Sequence, residues 1–220
     1  MNPDLSQIDT WLFDLDNTLY PEESGFMRQV EGRMTGFVAR VTGLPREEAF
    51  ALQKSYLAEY GLTLRGLMLH HAVDPADFHA LFHDLPLDLL DRDPALIAAL
   101  SALPGRRLIF TNADEFHARR VMDHLGLAGL FDEVFHIHSF GFAPKPDPAG
   151  FVQMIAEHAI DPATTAFFED SERNLKPARD LGMTTVMVGP RALASTAAFV
   201  QFRTAQLAPF LAGARLKDAA

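Results

Sequence analysis

Apolar and polar positions alternate along the chain in two regimes. One consists of short apolar runs that end abruptly in polar residues. Such runs cover 9–13, ending at Asp14, and 107–110, ending at Thr111-Asn112. Others cover 133–137, 165–168 (ending at Glu169-Asp170) and 184–188 (stopped by Gly189-Pro190), with a sixth at 199–202. Short apolar runs bounded by turn signals predict strands, and the sixth is read as an edge strand. The second regime has helical spacing. Phe116, Val121, Met122 and Leu125 share one face before Gly126; Asp147-Pro148 starts a pattern through Phe151, Ile155 and Ala159; a third covers 171–181 before Gly182. Asp as cap, Pro in the first turn and Gly beyond the end are helix boundary signals. Strands alternating with helices at this spacing predict parallel strands joined by crossover helices.

One stretch breaks the alternation. Between Leu19 and about Asp91 no strand is predicted. Helical patterns at 26–41, 46–60, 63–71 and 75–83 occupy it, punctuated by Gly43-Leu44-Pro45 and Asp74-Pro75. So long a connection between two strands reads as an inserted unit. The expectation is an α/β parallel-sheet core, 1–20 and 92–220, with an all-helical cap, 21–91, after the first strand.

Composition narrows the class. The chain has 220 residues, of which 48% are hydrophobic and 22% charged, an ordinary globular balance. No uncharged run approaches the ~20 apolar residues of a membrane span. Residues 1–9 carry neither the basic flank nor the apolar stretch of a secretory signal. The net charge of −10 disfavours a polyanion partner, because phosphate backbones are held mainly by Lys and Arg. The last segment runs the other way: Arg191, Arg203, Arg215 and Lys217 face only Asp218, a spacing that reads as solvated surface. There is no cysteine, which excludes disulfides, zinc thiolates and thiol catalysis and leans toward a cytoplasmic location.

In open α/β sheets, ligands bind at the carboxyl ends of the strands. Three predicted ends carry Asp14-Leu15-Asp16-Asn17-Thr18, Thr111-Asn112 and Glu169-Asp170-Ser171, with Asn174 a helical turn later; Lys145 stands in a loop between prolines after the third strand. Each piece alone has a plain reading: a turn and helix cap for the first, a rigid exposed loop for Pro144-Lys145-Pro146, an N-cap for the third. Together they place carboxylates, hydroxyls, an amide and one cation at one rim. Crowded carboxylates call for a hard cation such as Mg2+. Cation and Lys together suit an oxyanion such as phosphate, whose transfer rests on positioning and charge neutralisation. Two carboxylates on one loop would divide the work: one attacks phosphorus, forming an acyl phosphate, and the other handles protons.

The ordered pattern Asp14-x-Asp16-x-Thr18, Thr111-Asn112, Lys145, Glu169-Asp170-x-x-x-Asn174 resembles the haloacid dehalogenase-like hydrolase superfamily. The resemblance implies a Rossmann-like core, a helical cap and Mg2+-dependent phosphoryl transfer through an aspartyl-phosphate. It implies Asp14 as nucleophile and metal ligand, and Asp16 as general acid/base whose carbonyl also touches the metal. Thr18 would order that loop. Thr111 (hydroxyl) and Asn112 (backbone N–H) would bind the phosphoryl group with Lys145. Asp170 would ligate the metal, with Glu169 beside it and Ser171 and Asn174 in support. The dehalogenating branch lacks the second carboxylate of the first motif, so Asp16 disfavours dehalogenation. The strings Phe13-Asp14-Leu15-Asp16-Asn17-Thr18-Leu19-Tyr20-Pro21, Tyr60-Gly61-Leu62-Thr63-Leu64-Arg65-Gly66-Leu67-Met68 and Phe110-Thr111-Asn112-Ala113 look most like the pyrimidine 5'-nucleotidase group. That implies a small phosphate ester, a nucleoside monophosphate such as UMP or CMP, as substrate, and neither a nucleic acid polymer nor a membrane as partner. A sugar-phosphate or phosphoglycolate phosphatase and a phosphomutase share the core and stay open, as do monomer and homodimer.

Substrate choice would fall to the cap. Tyr20, Phe26, Met27, Arg28, Arg65, Met68 and His71 are the lining candidates, set against a plainer reading of Phe26 and Met68 as cap core and Arg28 as surface. His136-x-His138 would put two imidazoles on one strand face, and His70-His71 lies in the cap; without a third ligand both read as structural or surface. His117 follows Thr111-Asn112 closely enough to graze the site.

Overall fold

A computed structural model describes residues 3–141 and 143–217. Asp218, and the start of the N-terminal stretch at Met1-Asn2, lie outside the described residues. Among the described residues there are six strands: β1 Thr10–Phe13, β2 Arg106–Phe110, β3 Glu133–Phe135, β4 Thr165–Glu169, β5 Thr184–Val188 and β6 Phe202–Thr204. They form one sheet in the order β3-β2-β1-β4-β5-β6, and every pairing is parallel. Nine α-helices accompany them among the described residues: α1 Phe26–Thr42, α2 Arg46–Tyr60, α3 Thr63–His71, α4 Pro75–His79, α5 Pro94–Ser101, α6 Glu115–Leu125, α7 Pro148–Glu157, α8 Glu172–Asp180 and α9 Leu207–Gly213. The fold class is α/β, with the all-helical segment following β1.

The chain divides into two compact units, Met1–Ser24 with Leu90–Ala220, and Gly25–Leu89. In the first, β1, β4 and β5 are buried at every position, as parallel strands covered on both faces must be. The strand order reverses between β1 and β4, which opens the crevice where open α/β sheets hold ligands. The register sets what lines it. Phe13 pairs with Phe168, so the next residues, Asp14 and Glu169, emerge side by side. The rings of Phe13 and Phe168 stack at 4.6 Å between centroids, and Phe110 meets Phe151 edge-on at 4.8 Å. Such pairs add about 0.5–1.5 kcal/mol each beyond their buried area, directly beneath the polar rim. Gly105 makes the turn into β2 at φ +79, where a Cβ would lie 2.0 Å from the Asp9 carbonyl oxygen; no other residue fits there.

In the second unit α1, α2 and α3 pack on one another. At Gly66 a Cβ would fall 2.3 Å from Tyr56 Cγ, so the glycine sets how closely α3 approaches α2. Thr35 donates to Gln53 Oε1 at 2.6 Å between α1 and α2, buried. Phe37 and Phe78 meet edge-on at 5.5 Å. The surface carries the ion pairs Arg33–Asp84 and Lys54–Glu31.

Several predicted boundaries move. The sixth strand forms at Phe202–Thr204 rather than 199–202. Phe199 and Gln201 instead bond to Thr185 partly through side chains: Thr185 Oγ1 donates to the Phe199 carbonyl, and the Thr185 N–H donates to Gln201 Oε1. The third strand stops at Phe135, because Ile137 opens a 3-10 turn; His136 and His138 therefore do not share a strand face. The pattern from Asp147 ends at Glu157, and Ala159 has φ 48, a left-handed conformation no helix continues through. The fourth inserted helix gives way to a 3-10 turn at Ala80. Helix α5 was not foreseen, although Asp93 caps its first turn and Pro94 starts it. No helix among the described residues is long and apolar enough to cross a membrane.

Candidate active site

The site begins with the turn after β1. The Asp14 N–H bonds to the Phe168 carbonyl at 2.9 Å, extending the β1–β4 ladder by one residue. The chain then turns, with Asn17 at φ 62, a conformation Asn tolerates better than most residues. This turn places the Thr18 hydroxyl 3.1 Å from Asp14 Oδ2, to which it donates.

Lys145 is the centre of the charge arrangement. Its Nζ donates at 2.7 Å to Asp14 Oδ1, at 2.7 Å to Glu169 Oε2 and at 2.7 Å to the Phe110 carbonyl, so all three ammonium donors are used. The side chain is 1% exposed. The plain reading of its proline-flanked segment as an exposed loop is therefore wrong. Asn112 holds that segment from β2: the Lys145 N–H donates to Asn112 Oδ1 at 2.9 Å, and Asn112 Nδ2 donates to the Lys145 carbonyl at 3.1 Å. The Asn112 side chain thus anchors the lysine loop. Thr111 is buried, and its Oγ1 accepts from the Ala113 N–H at 3.0 Å.

Asp14, Glu169 and Asp170 each offer an oxygen within 4.8 Å of the others. Burial raises the Asp14 carboxyl to about 7, with the neighbouring charges of Glu169 and Asp16 adding to it and Lys145 opposing. Glu169 also rises to about 7, and Asp170 to about 6, mainly through burial. Burial works against the Lys145 ammonium, yet its two carboxylate partners carry it above its ordinary value. Three carboxylates, two of them on the Lys145 ammonium and the third, Asp170, 3.8 Å from Arg191, form an electron-rich site that a cation would complete. The donor set is all oxygen, which suits a hard divalent ion. Asn17 adds to that fit: its Nδ2 lies 3.5 Å from Asp170 Oδ2, while its buried Oδ1 has no partner among the described residues. Ser171 gives its backbone N–H to Glu169 Oε1 at 3.1 Å and makes no side-chain cap. Asn174 is buried one turn into α8, its Oδ1 unpartnered among the described residues.

Asp16 stands apart from that group. Its Oδ1 accepts from the Tyr20 hydroxyl at 2.7 Å and lies 3.1 Å from His117 Nε2. Burial opposes the charged form, but the His117 charge and the two hydrogen bonds bring Asp16 below the ordinary carboxylate range. His117 is raised, Asp16 outweighing the burial. Tyr20 is thus committed to Asp16 and 3% exposed, not a lining residue. His117 was sequence-legible only as a neighbour of Thr111-Asn112. Arg191, read as solvated surface, lies 3.4 Å from Glu22 Oε2 and 3.8 Å from Asp170 Oδ2. Phe26 is core of the helical unit; Met27, Met68 and His71 are half-buried, and Arg28 and Arg65 are exposed.

A family model described as haloacid dehalogenase-like hydrolase matches residues 8–182. The chain belongs to the haloacid dehalogenase-like hydrolases. It is 32% identical over 189 residues to phosphate metabolism protein 8 of Saccharomyces cerevisiae, covering 79% of this chain and 59% of the yeast protein. The chain thus spans well under two thirds of that relative. Among solved structures, an HAD phosphatase from Thermococcus onnurineus superposes with a TM-score of 0.68 at 21% identity, covering 94% of this chain and all of that one. An L-2-haloacid dehalogenase from Xanthobacter autotrophicus superposes at 0.52 with 19% identity, over 93% and 87% of the two chains. These two likenesses share the hydrolase fold and span two chemistries, so the choice between them falls to the side chains.

Proposed function

We propose that this hydrolase is a Mg2+-dependent phosphomonoesterase that works through an aspartyl-phosphate on Asp14, with pyrimidine nucleoside 5'-monophosphates as substrates. The observation that carries the reading is the Lys145 ammonium, bonded at 2.7 Å to both Asp14 and Glu169 in a group of three carboxylates, with a second loop carboxylate, Asp16, two residues from Asp14. Dehalogenation has no evident use for that second carboxylate. Cleaving a phosphate ester does, because the leaving oxygen takes a proton.

Asp14, Asp170 and the Asp16 backbone carbonyl would hold Mg2+, which supplies charge neutralisation at the phosphoryl oxygens. Lys145 and Thr18 grip the two Asp14 oxygens and fix the carboxylate for attack. Asp14 attacks phosphorus, the ester P–O bond breaks, and Asp16, which enters the step protonated, gives that proton to the leaving oxygen. Asp16 then takes a proton from water as that water attacks phosphorus; the bond to Asp14 breaks and phosphate is released. Thr111 and Asn112 contribute the hydroxyl and the backbone N–H that bind the transferring group, and Glu169 keeps Lys145 in place. Ser171 and Asn174 support the acidic loop. The segment 21–91 is read as the specificity cap, with Arg28, Arg65 and Met68 as the residues whose exchange should alter KM between substrates.

The test is phosphate release from UMP, CMP, dUMP, TMP, AMP, GMP, glucose 6-phosphate, phosphoglycolate and p-nitrophenyl phosphate, with Mg2+ and with EDTA. Metal-dependent release favouring pyrimidine nucleotides supports the whole reading. Release confined to sugar phosphates or phosphoglycolate keeps the chemistry and discards the nucleotide. Transfer of the phosphoryl group to a second hydroxyl of a hexose phosphate, in place of water, would make it a mutase.

A further inference from the structure

We infer that Tyr20 and His117 are a pair of positioning residues that hold Asp16 by one oxygen and present the other to the leaving group. The inference rests on the phosphomonoesterase reading and adds two residues to it. Both contacts fall on Asp16 Oδ1, the Tyr20 hydroxyl at 2.7 Å and His117 Nε2 at 3.1 Å. Asp16 Oδ2 accepts no hydrogen bond among the described residues, and the side chain keeps 19% exposure. A carboxylate held at one oxygen from two directions cannot swing about its χ angles, while its second oxygen stays open to solvent and to a bound ester.

The two supports come from separate elements. Tyr20 lies four residues beyond Asp16 in the turn after β1. His117 sits in the first turn of α6, where its backbone N–H bonds to the Asp114 cap at 2.9 Å. Tyr20 is 3% and His117 5% exposed, so neither is free to reorient. Neither residue hydrogen-bonds to Asp14, Lys145 or the acidic group in the contacts described above, so removing either support acts first on Asp16. The expected consequence is a selective fault in proton delivery.

Leaving-group dependence reads that fault directly. Phenyl phosphate expels a basic phenoxide that needs a proton; p-nitrophenyl phosphate expels a far weaker base that hardly does. The readout is kcat/KM for both esters, which covers the steps up to departure of the leaving group, whereas kcat also contains hydrolysis of the phosphoenzyme common to both; it is measured on the full chain with Mg2+ for the parent, Asp16→Asn, Tyr20→Phe, His117→Leu and His117→Gln. Well-placed general acids contribute about 10²–10⁴-fold, so Asp16→Asn should lower kcat/KM for phenyl phosphate by that order and far less for p-nitrophenyl phosphate. Tyr20→Phe and His117→Leu should show the same preference in kcat/KM at about tenfold on phenyl phosphate, a fraction of the full general-acid effect. His117→Gln keeps an N–H donor near the Nε2 position and should recover part of the loss. Tyr20→Phe deletes only a hydroxyl, so it and His117→Gln carry the test if His117→Leu fails to fold. If Asp16→Asn lowers kcat/KM of both esters equally, Asp16 is not the acid and the phosphomonoesterase mechanism itself falls. If Asp16→Asn is selective but a Tyr20 or His117 variant slows both esters equally, or neither, the inference is overturned for that residue while the mechanism stands.

Discussion

Asp14 and Asp16 are the same residue type, two positions apart on one turn, and the molecule treats them oppositely. Asp14 lies among Lys145, Glu169 and Asp170, where burial and like charges lift its carboxyl to about 7. Asp16 lies between Tyr20 and His117, where donors hold it below the ordinary range. Alternation would put residues two apart on one face; it is the turn after β1, with Asn17 at φ 62, that sends the two side chains into different surroundings. The Asp14 side is crowded with carboxylates and holds the Lys145 ammonium. The Asp16 side is a carboxylate with hydrogen-bond donors and an open oxygen. A cation held by Asp14 and Asp170 would favour the ionised Asp14 that attack needs, and Asp16, held ionised by its donors, must take up a proton before it can serve as the acid.

The comparison is broken most severely at Asp14. Asp14→Asn keeps the shape and removes the attacking charge, and phosphate release should fall by more than about a thousandfold while circular dichroism shows the fold intact. Substantial residual turnover would move the nucleophile elsewhere. Asp16→Asn should lower turnover by about 10²–10⁴-fold yet leave Asp14 able to accept phosphate, so phosphoenzyme should build up after rapid quenching. If it does not, the two carboxylates do not divide the steps as proposed.

Lys145→Met tests the counter-charge. Removing one partner of a buried ion pair costs about 3–5 kcal/mol, and the loss of Lys145 strands two carboxylates, so denaturant unfolding should shift by that order as turnover drops. An unchanged midpoint would mean that Asp14 and Glu169 give up their charge at little cost. The smallest effect belongs to a pair of similar length. Arg33 and Asp84 are 2.8 Å apart, but their side chains are 40% and 77% exposed, and Arg33→Ala should cost less than about 1 kcal/mol. A loss equal to that of Lys145→Met would show that distance rather than burial sets the value of these pairs.

Much of this was legible in the chain, for a physical reason. A parallel sheet delivers its strand ends to one rim, so polar residues that end successive apolar runs must meet there. Asp14, Thr111, Asn112, Glu169 and Asp170 were found that way. The alternation that defines the strands ended where side-chain bonds replaced the ladder, as at Phe199 and Gln201. Helix α5 was missed although Asp93-Pro94 repeats the start signal of Asp147-Pro148. Lys145 was readable in order but not in depth. Its burial depends on Asn112 and on three acceptors from β1, β2 and β4, and no local pattern announces such convergence. The Asp16–His117 contact joins residues 101 apart and is invisible to periodicity, which reports the face of a helix and not what that face meets.

The central claim is that Asp14 carries the phosphoryl group. The direct measurement is to mix the protein with Mg2+ and p-nitrophenyl phosphate, quench in acid within the first turnover, digest, and locate the phosphate by mass spectrometry. The account expects it on the peptide holding Asp14, at Asp14, and absent from Asp14→Asn. Phosphate on another residue, or steady release with no phosphorylated peptide at any quench time, would contradict it.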